Sequence, residues 1–164
     1  MPEAAPTVDQ WRVPYTRHGG LGVPAHVTVL YPFAPRASLD ETLLGQVCQL
    51  AERHAAFDVV FRRVERWPDG IVYLPPEPPA PFVSLTEDAC ARWPAYPPYG
   101  GAHEEHLPHL TVSHDEAVAD RAARAVAGAL PIAARAHELT LLVEGEDGRW
   151  QAEARFRLGA RRHE

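Results

Sequence analysis

Lysine and asparagine are missing from this 164-residue chain, and all sixteen of its basic residues are arginine. An arginine fork can hold two phosphate oxygens at once. Ala, Arg and Pro are abundant throughout, however, and compositional bias accounts for most of these arginines. Cysteine is scarce. Cys48 and Cys90 lie in helix-like stretches beside apolar residues, without C-x-x-C spacing. That pattern excludes a disulfide framework and points to buried free thiols in a reducing compartment. No apolar run reaches membrane-spanning length. Residues 1–6 are polar and proline-broken, unlike a signal peptide. The expected location is the cytoplasm, away from membrane. There is no long run of like charge, and the net charge is −6. A broad electrostatic grip on nucleic acid is thereby excluded, so any contact with RNA would be local and short.

What is present is a phrase that occurs twice. His26-Val27-Thr28-Val29 stands in the first quarter and His109-Leu110-Thr111-Val112 in the third, with Pro24 and Pro108 just upstream. In a strand, residues i and i+2 point to the same side. His26 would then share a face with Thr28, and His109 with Thr111 and Ser113. Two strands that each offer an imidazole and a hydroxyl suit acid–base chemistry on a phosphate. A single such histidine is more often structural; the pair makes the chemical reading the better one.

With 46% apolar residues, the chain can bury a real core as one domain or two small, tightly packed lobes. A short helix is expected over residues 8–15. Residues 26–33 read as a strand rich in β-branched and aromatic side chains. Ser38 with Glu41 forms a capping box for a helix running to about His54. Residues 57–67 and 71–74 read as strands around the turn Pro68-Asp69-Gly70. A proline-rich linker follows at 75–81, then a helix over 82–93 and an irregular loop over 94–106. The second motif strand is expected at 109–113, an Ala-rich helix at 115–130, and strands at 139–144 and 150–158. Motif strand, helix, strand pair: the order nearly repeats, which predicts two similar lobes of antiparallel strands with flanking helices.

Taken together, the paired phrases resemble the 2H phosphoesterase superfamily, in particular the 2′-5′ RNA ligase-like (LigT-like) proteins. Tyr31-Pro32-Phe33 and the Pro-Pro-Tyr-Gly-Gly loop at 97–101 resemble an actinobacterial-type subgroup. The resemblance spans nearly the whole chain. It implies a bilobal, pseudo-two-fold α+β fold with two antiparallel sheets around a central cleft, the lobes joined near 75–81. It implies hydrolysis of 2′,3′-cyclic phosphodiesters on RNA ends or nucleotides, with 2′-5′ ligation as the back reaction at the same site, and without a metal or other cofactor. One departure is that such proteins begin with an apolar strand ahead of the first helix, whereas residues 1–7 here read as loop. Either the start lies upstream of Met1 or the strand is absent, and absence would leave a sheet edge open to pairing.

Ring opening needs one proton taken from water and one given to the leaving oxygen, which a neutral and a charged imidazole supply between them. His26 and His109 are the expected proton carriers, in either order. Thr28 and Thr111 are the expected donors to the phosphate oxygens. His103 and His106, with Glu104 and Glu105, have loose metal-ligand spacing, but Leu107-Pro108 breaks any helix there, and solvated loop histidines are expected. His114 is expected at a helix start or on the surface. Tyr31, Phe33, Trp67, Tyr96 and Tyr99 could stack a base, with Phe33 and Tyr99 the best placed. Arg62, Arg66, Arg155 or Arg157 could reach a phosphate. The competing reading is a non-catalytic nucleotide or RNA-end binding module with the same cleft.

Overall fold

A computed structural model describes residues 1–101 and 107–159. The architecture is α+β. Four helices, α1 (Ala5–Tyr15), α2 (Glu41–Arg53), α3 (Ala80–Arg92) and α4 (Glu116–Ala127), flank eight strands. The strands are β1 (Phe57–Phe61), β2 (Glu65–Arg66), β3 (Val72–Leu74), β4 (Pro76–Glu77), β5 (Leu110–Ser113), β6 (Ile132–Ala136), β7 (Glu138–Glu144) and β8 (Trp150–Arg157). They form two three-stranded antiparallel sheets, ordered β4-β1-β6 and β2-β3-β5, and the ribbon β7-β8.

Local chemistry explains most of these elements. Asp40, not Ser38, caps α2: its Oδ1 accepts the Leu43 N–H at 2.8 Å, while Ser38 closes a preceding 3-10 turn. A carboxylate at this position also meets the positive end of the helix dipole. Asp115 caps α4 in the same way, accepting from Ala117. In β1, Val59 and Phe61 are buried, and the strand alternates as expected for one covered face. Trp67 and Gly70 close the Pro68-Asp69-Gly70 turn, Gly70 at φ +94 where a side chain would be strained.

Several segments differ from the sequence-based expectation, among them the strand expected over 57–67, which is split between β1 and β2 in different sheets. Residues 26–33 form no strand; Tyr31-Pro32 is cis, and the carbonyls of Val29 and Tyr31 are taken by Thr86 and Tyr99 instead of by a strand partner. Part of the proline-rich segment pairs with β1 as β4. β6 was not anticipated, because Ile-Ala-Ala-Arg-Ala has the composition of a helix; pairing along all of β1 and burial of Ile132, Ala134 and Ala136 override that preference. Among the described residues no strand precedes α1, whose side packs on β5.

The main core lies between the sheets and helices α1 and α4, around Val8, Phe61, Leu74, Leu110, Val112 and Val126, all fully buried. A smaller cluster, Val47, Leu50, Ala89 and Trp93, joins α2 to α3. The segment 19–25 runs from α1 toward the first motif against the β7-β8 ribbon. Gly22, at φ +102, approaches so closely that a Cβ there would lie 2.6 Å from the Trp150 carbonyl oxygen. No described helix is long and apolar enough to cross a membrane. Cys48 and Cys90 form no disulfide and are half-buried, less enclosed than expected.

Candidate active site

His26 follows the segment 19–25, and His109 immediately precedes β5. Both are half-buried, as are Thr28 and Thr111. The two imidazoles are held in the same manner. His26 Nδ1 lies 2.7 Å from the Pro24 carbonyl, and His109 Nδ1 lies 2.8 Å from the Leu107 carbonyl. A carbonyl oxygen only accepts, so each Nδ1 carries the proton and each Nε2 is the atom able to exchange one. Each histidine thus spends one nitrogen on the backbone two residues upstream. The shared phrase reproduces a side-chain geometry even though only its second copy leads into a strand.

The surroundings of the two rings differ. His26 Nε2 stands 3.1 Å from Thr28 Oγ1, and the Thr28 side chain also bonds the Tyr99 phenol. Tyr99 itself sits at φ +51, its N–H on the Tyr31 carbonyl at 2.6 Å. Burial pushes the His26 pKa down to about 4; the Pro24 bond opposes this, and Arg12, the Met1 amino group and His109 add to the lowering. That His109 is felt at His26 places the two motifs within electrostatic reach of each other. His109 instead meets aromatic rings. Trp67 stands edge-on to it at 4.6 Å between centroids and Tyr73 at 5.8 Å, and these two stack on each other at 4.3 Å. Tyr73 lies opposite Thr111 across the β3–β5 pair. Its hydroxyl donates to Glu65 at 2.7 Å, and burial with that bond pushes its pKa up to about 12, so it stays a neutral donor.

Other candidates fall elsewhere. Ser113 does not continue the open face of Thr111. A register shift between Val72 and Tyr73 accompanies its full burial, and its hydroxyl accepts from the Asp115 N–H. Phe33 packs edge-on against Trp93 and Tyr96 beside the smaller core cluster, which occupies it structurally. Tyr31 is exposed and lies against His18 and Trp150. Arg62 pairs with Glu77, Arg66 with Glu116 and Asp120, and Arg155 with Glu138, all on the surface; Arg157 is exposed. His114 is exposed, and its Nδ1 accepts the Arg17 N–H. His103 and His106 lie outside the described residues, among which no group of three metal-ligating side chains occurs.

The family model for the 2′-5′ RNA ligase superfamily matches residues 1–148. This chain belongs to that superfamily. Membership places it among enzymes of phosphoester chemistry. The fold is similar to that of a solved structure, Escherichia coli LigT complexed with NADP+. The two are 18% identical, the alignment covers 96% of this chain and 92% of that one, and the TM-score is 0.54. A comparison with curated proteins returns no significant match. Two features of the site had no sequence signal: the Trp67–Tyr73 pair against His109, which depends on the β2–β3–β5 pairing, and the buried Arg12 on the Val23 carbonyl.

Proposed function

We propose that this protein hydrolyses 2′,3′-cyclic phosphodiesters on nucleotides or short RNA ends, with His26 and His109 as the proton carriers. The observation that carries this reading is the matched tethering of the two histidines, each Nδ1–H on a carbonyl two residues upstream. Such a tether leaves two Nε2 atoms, each fixed in direction, to work on one phosphate.

His26, kept neutral by burial, takes the proton from the attacking water as its oxygen bonds to phosphorus. His109 gives a proton to the ribose oxygen as the ring P–O bond breaks, leaving a phosphomonoester. After turnover a proton returns from His26 to His109 through solvent. The Trp67 and Tyr73 rings hold the His109 imidazole in position during the cycle. Thr28 and Thr111 turn their hydroxyls to the non-bridging oxygens, where charge develops. Thr28 exchanges its bond to His26 Nε2 for one to the substrate. No step requires a metal or other cofactor. The nucleotide bound to the related LigT, and the net negative charge of this chain, both favour a small nucleotide or a short RNA end over long structured RNA.

The test is phosphorus NMR of 2′,3′-cyclic AMP and of a short RNA with a cyclic end, each incubated with EDTA-treated protein. Loss of the cyclic resonance is expected, and the product shift identifies the oxygen that leaves. Persistence of both substrates beside tight binding would favour the non-catalytic module.

A further inference from the structure

Arg12 is the one charged side chain among the buried residues of the described chain, with 4% of its surface exposed. A buried guanidinium is costly unless its donors are used. Its Nε faces Asp9 Oδ1 at 3.3 Å, one turn back on α1, and its Nη2 donates to the Val23 carbonyl. Val23 begins a row of three carbonyls that are all taken: Val23 by Arg12, Pro24 by His26 Nδ1 and Ala25 by the Met1 amino group. From the carbonyl held by Arg12 up to His26, each of the three backbone acceptors is fixed. The charged groups that bear on His26 are Arg12 on α1, the Met1 amino group and His109 ahead of β5; each opposes a positive charge on the imidazole.

We propose that Arg12 is a positioning residue for His26: its guanidinium anchors the Val23 carbonyl, aims the imidazole through Pro24, and sets a permanent positive charge behind the ring that commits His26 to the base role. The part of this that concerns catalysis rests on the hydrolase reading above. The electrostatic part does not, because it can be observed in the resting protein. A structural staple would hold α1 to the loop but leave the titration of His26 untouched.

The experiment is an NMR titration of the histidine Cε1–H resonances in the intact protein, with His26 assigned by His26→Gln. It is read for wild type, Arg12→Met and Arg12→Lys beside the pH dependence of kcat and KM on a 2′,3′-cyclic nucleotide. In Arg12→Met the His26 midpoint is expected to rise by about half a unit or more, with kcat falling roughly tenfold and KM little changed. Arg12→Lys keeps the charge but not the fork. Its midpoint is expected to stay near that of wild type while kcat still falls. A folded Arg12→Met with an unmoved His26 midpoint overturns the proposal. If Arg12→Met does not fold, Arg12→Lys with unchanged kcat overturns it. Wild-type protein inactive on cyclic phosphates sinks the hydrolase reading alone, since the midpoint shift is still measurable.

Discussion

The indole of Trp67 meets the imidazole of His109 edge-on, with centroids 4.6 Å apart and planes at 77°. Trp67 follows β2 and His109 precedes β5, so the contact is made by β3 bridging the two strands. An aromatic pair of this kind contributes about 0.5–1.5 kcal/mol beyond its buried area. Trp67→Leu should therefore lower kcat by roughly three- to tenfold through looser aim of His109, with a smaller change in KM. Steady-state kinetics on a cyclic nucleotide decide this; an unchanged kcat means that the ring only fills space.

His26→Ala and His109→Ala should each reduce kcat by about 10²-fold or more, the usual scale for a positioned acid or base. Both rings are half-buried, so the circular dichroism spectrum and melting temperature should stay close to wild type. Near-normal turnover by either folded variant would rule out a two-histidine mechanism.

Thr28→Val and Thr111→Val should each cost about 10²-fold in kcat, as expected for loss of one donor to a developing oxyanion. Serine at either position keeps the hydroxyl and should restore most of the rate. A valine variant whose loss appears only in KM would instead show that the hydroxyl binds ground and transition states alike.

The depressed His26 pKa has a signed consequence for stability. Its folded value of about 4 lies below the usual 6.5, so below pH 6.5 the unfolded chain takes up the proton first. Stability therefore falls as pH drops from 6.5 toward 4 and the contribution levels off below that. The full loss is about 3 kcal/mol. Urea unfolding at pH 7 and pH 4.5 should show a smaller acid loss in His26→Gln than in wild type. Equal losses in the two proteins would place the His26 pKa near its ordinary value.

The cap of α2 is a local test of the fold. Asp40→Ala should destabilise by about 1 kcal/mol, while Ser38→Ala should change little. Chemical denaturation of the two variants measures the difference; the reverse order would restore Ser38 as the cap.

The sequence identified the two phrases, the α+β composition and the four helices, because periodicity and capping chemistry act over a few residues. It overreached in making the first phrase a strand. The geometry shared by His26 and His109 comes from an Nδ1 bond to the residue two positions upstream, and that bond needs no sheet partner. It also misplaced Ser113, since the register shift beside Tyr73 that accompanies its burial is a property of the β3–β5 pair. β6 has no signal in the sequence because its alanines gain their strand conformation from pairing with the neighbouring β1.

By itself the sequence determined which side chains could carry protons and hydroxyls, since that depends only on residue type and spacing along the chain. The tertiary structure decided what stands behind each of them. Arg12 holds the Val23 carbonyl three residues before His26, and Trp67 and Tyr73 lie beside His109. The packing of α1 and the order of three strands set those neighbours, and they give two like imidazoles different surroundings.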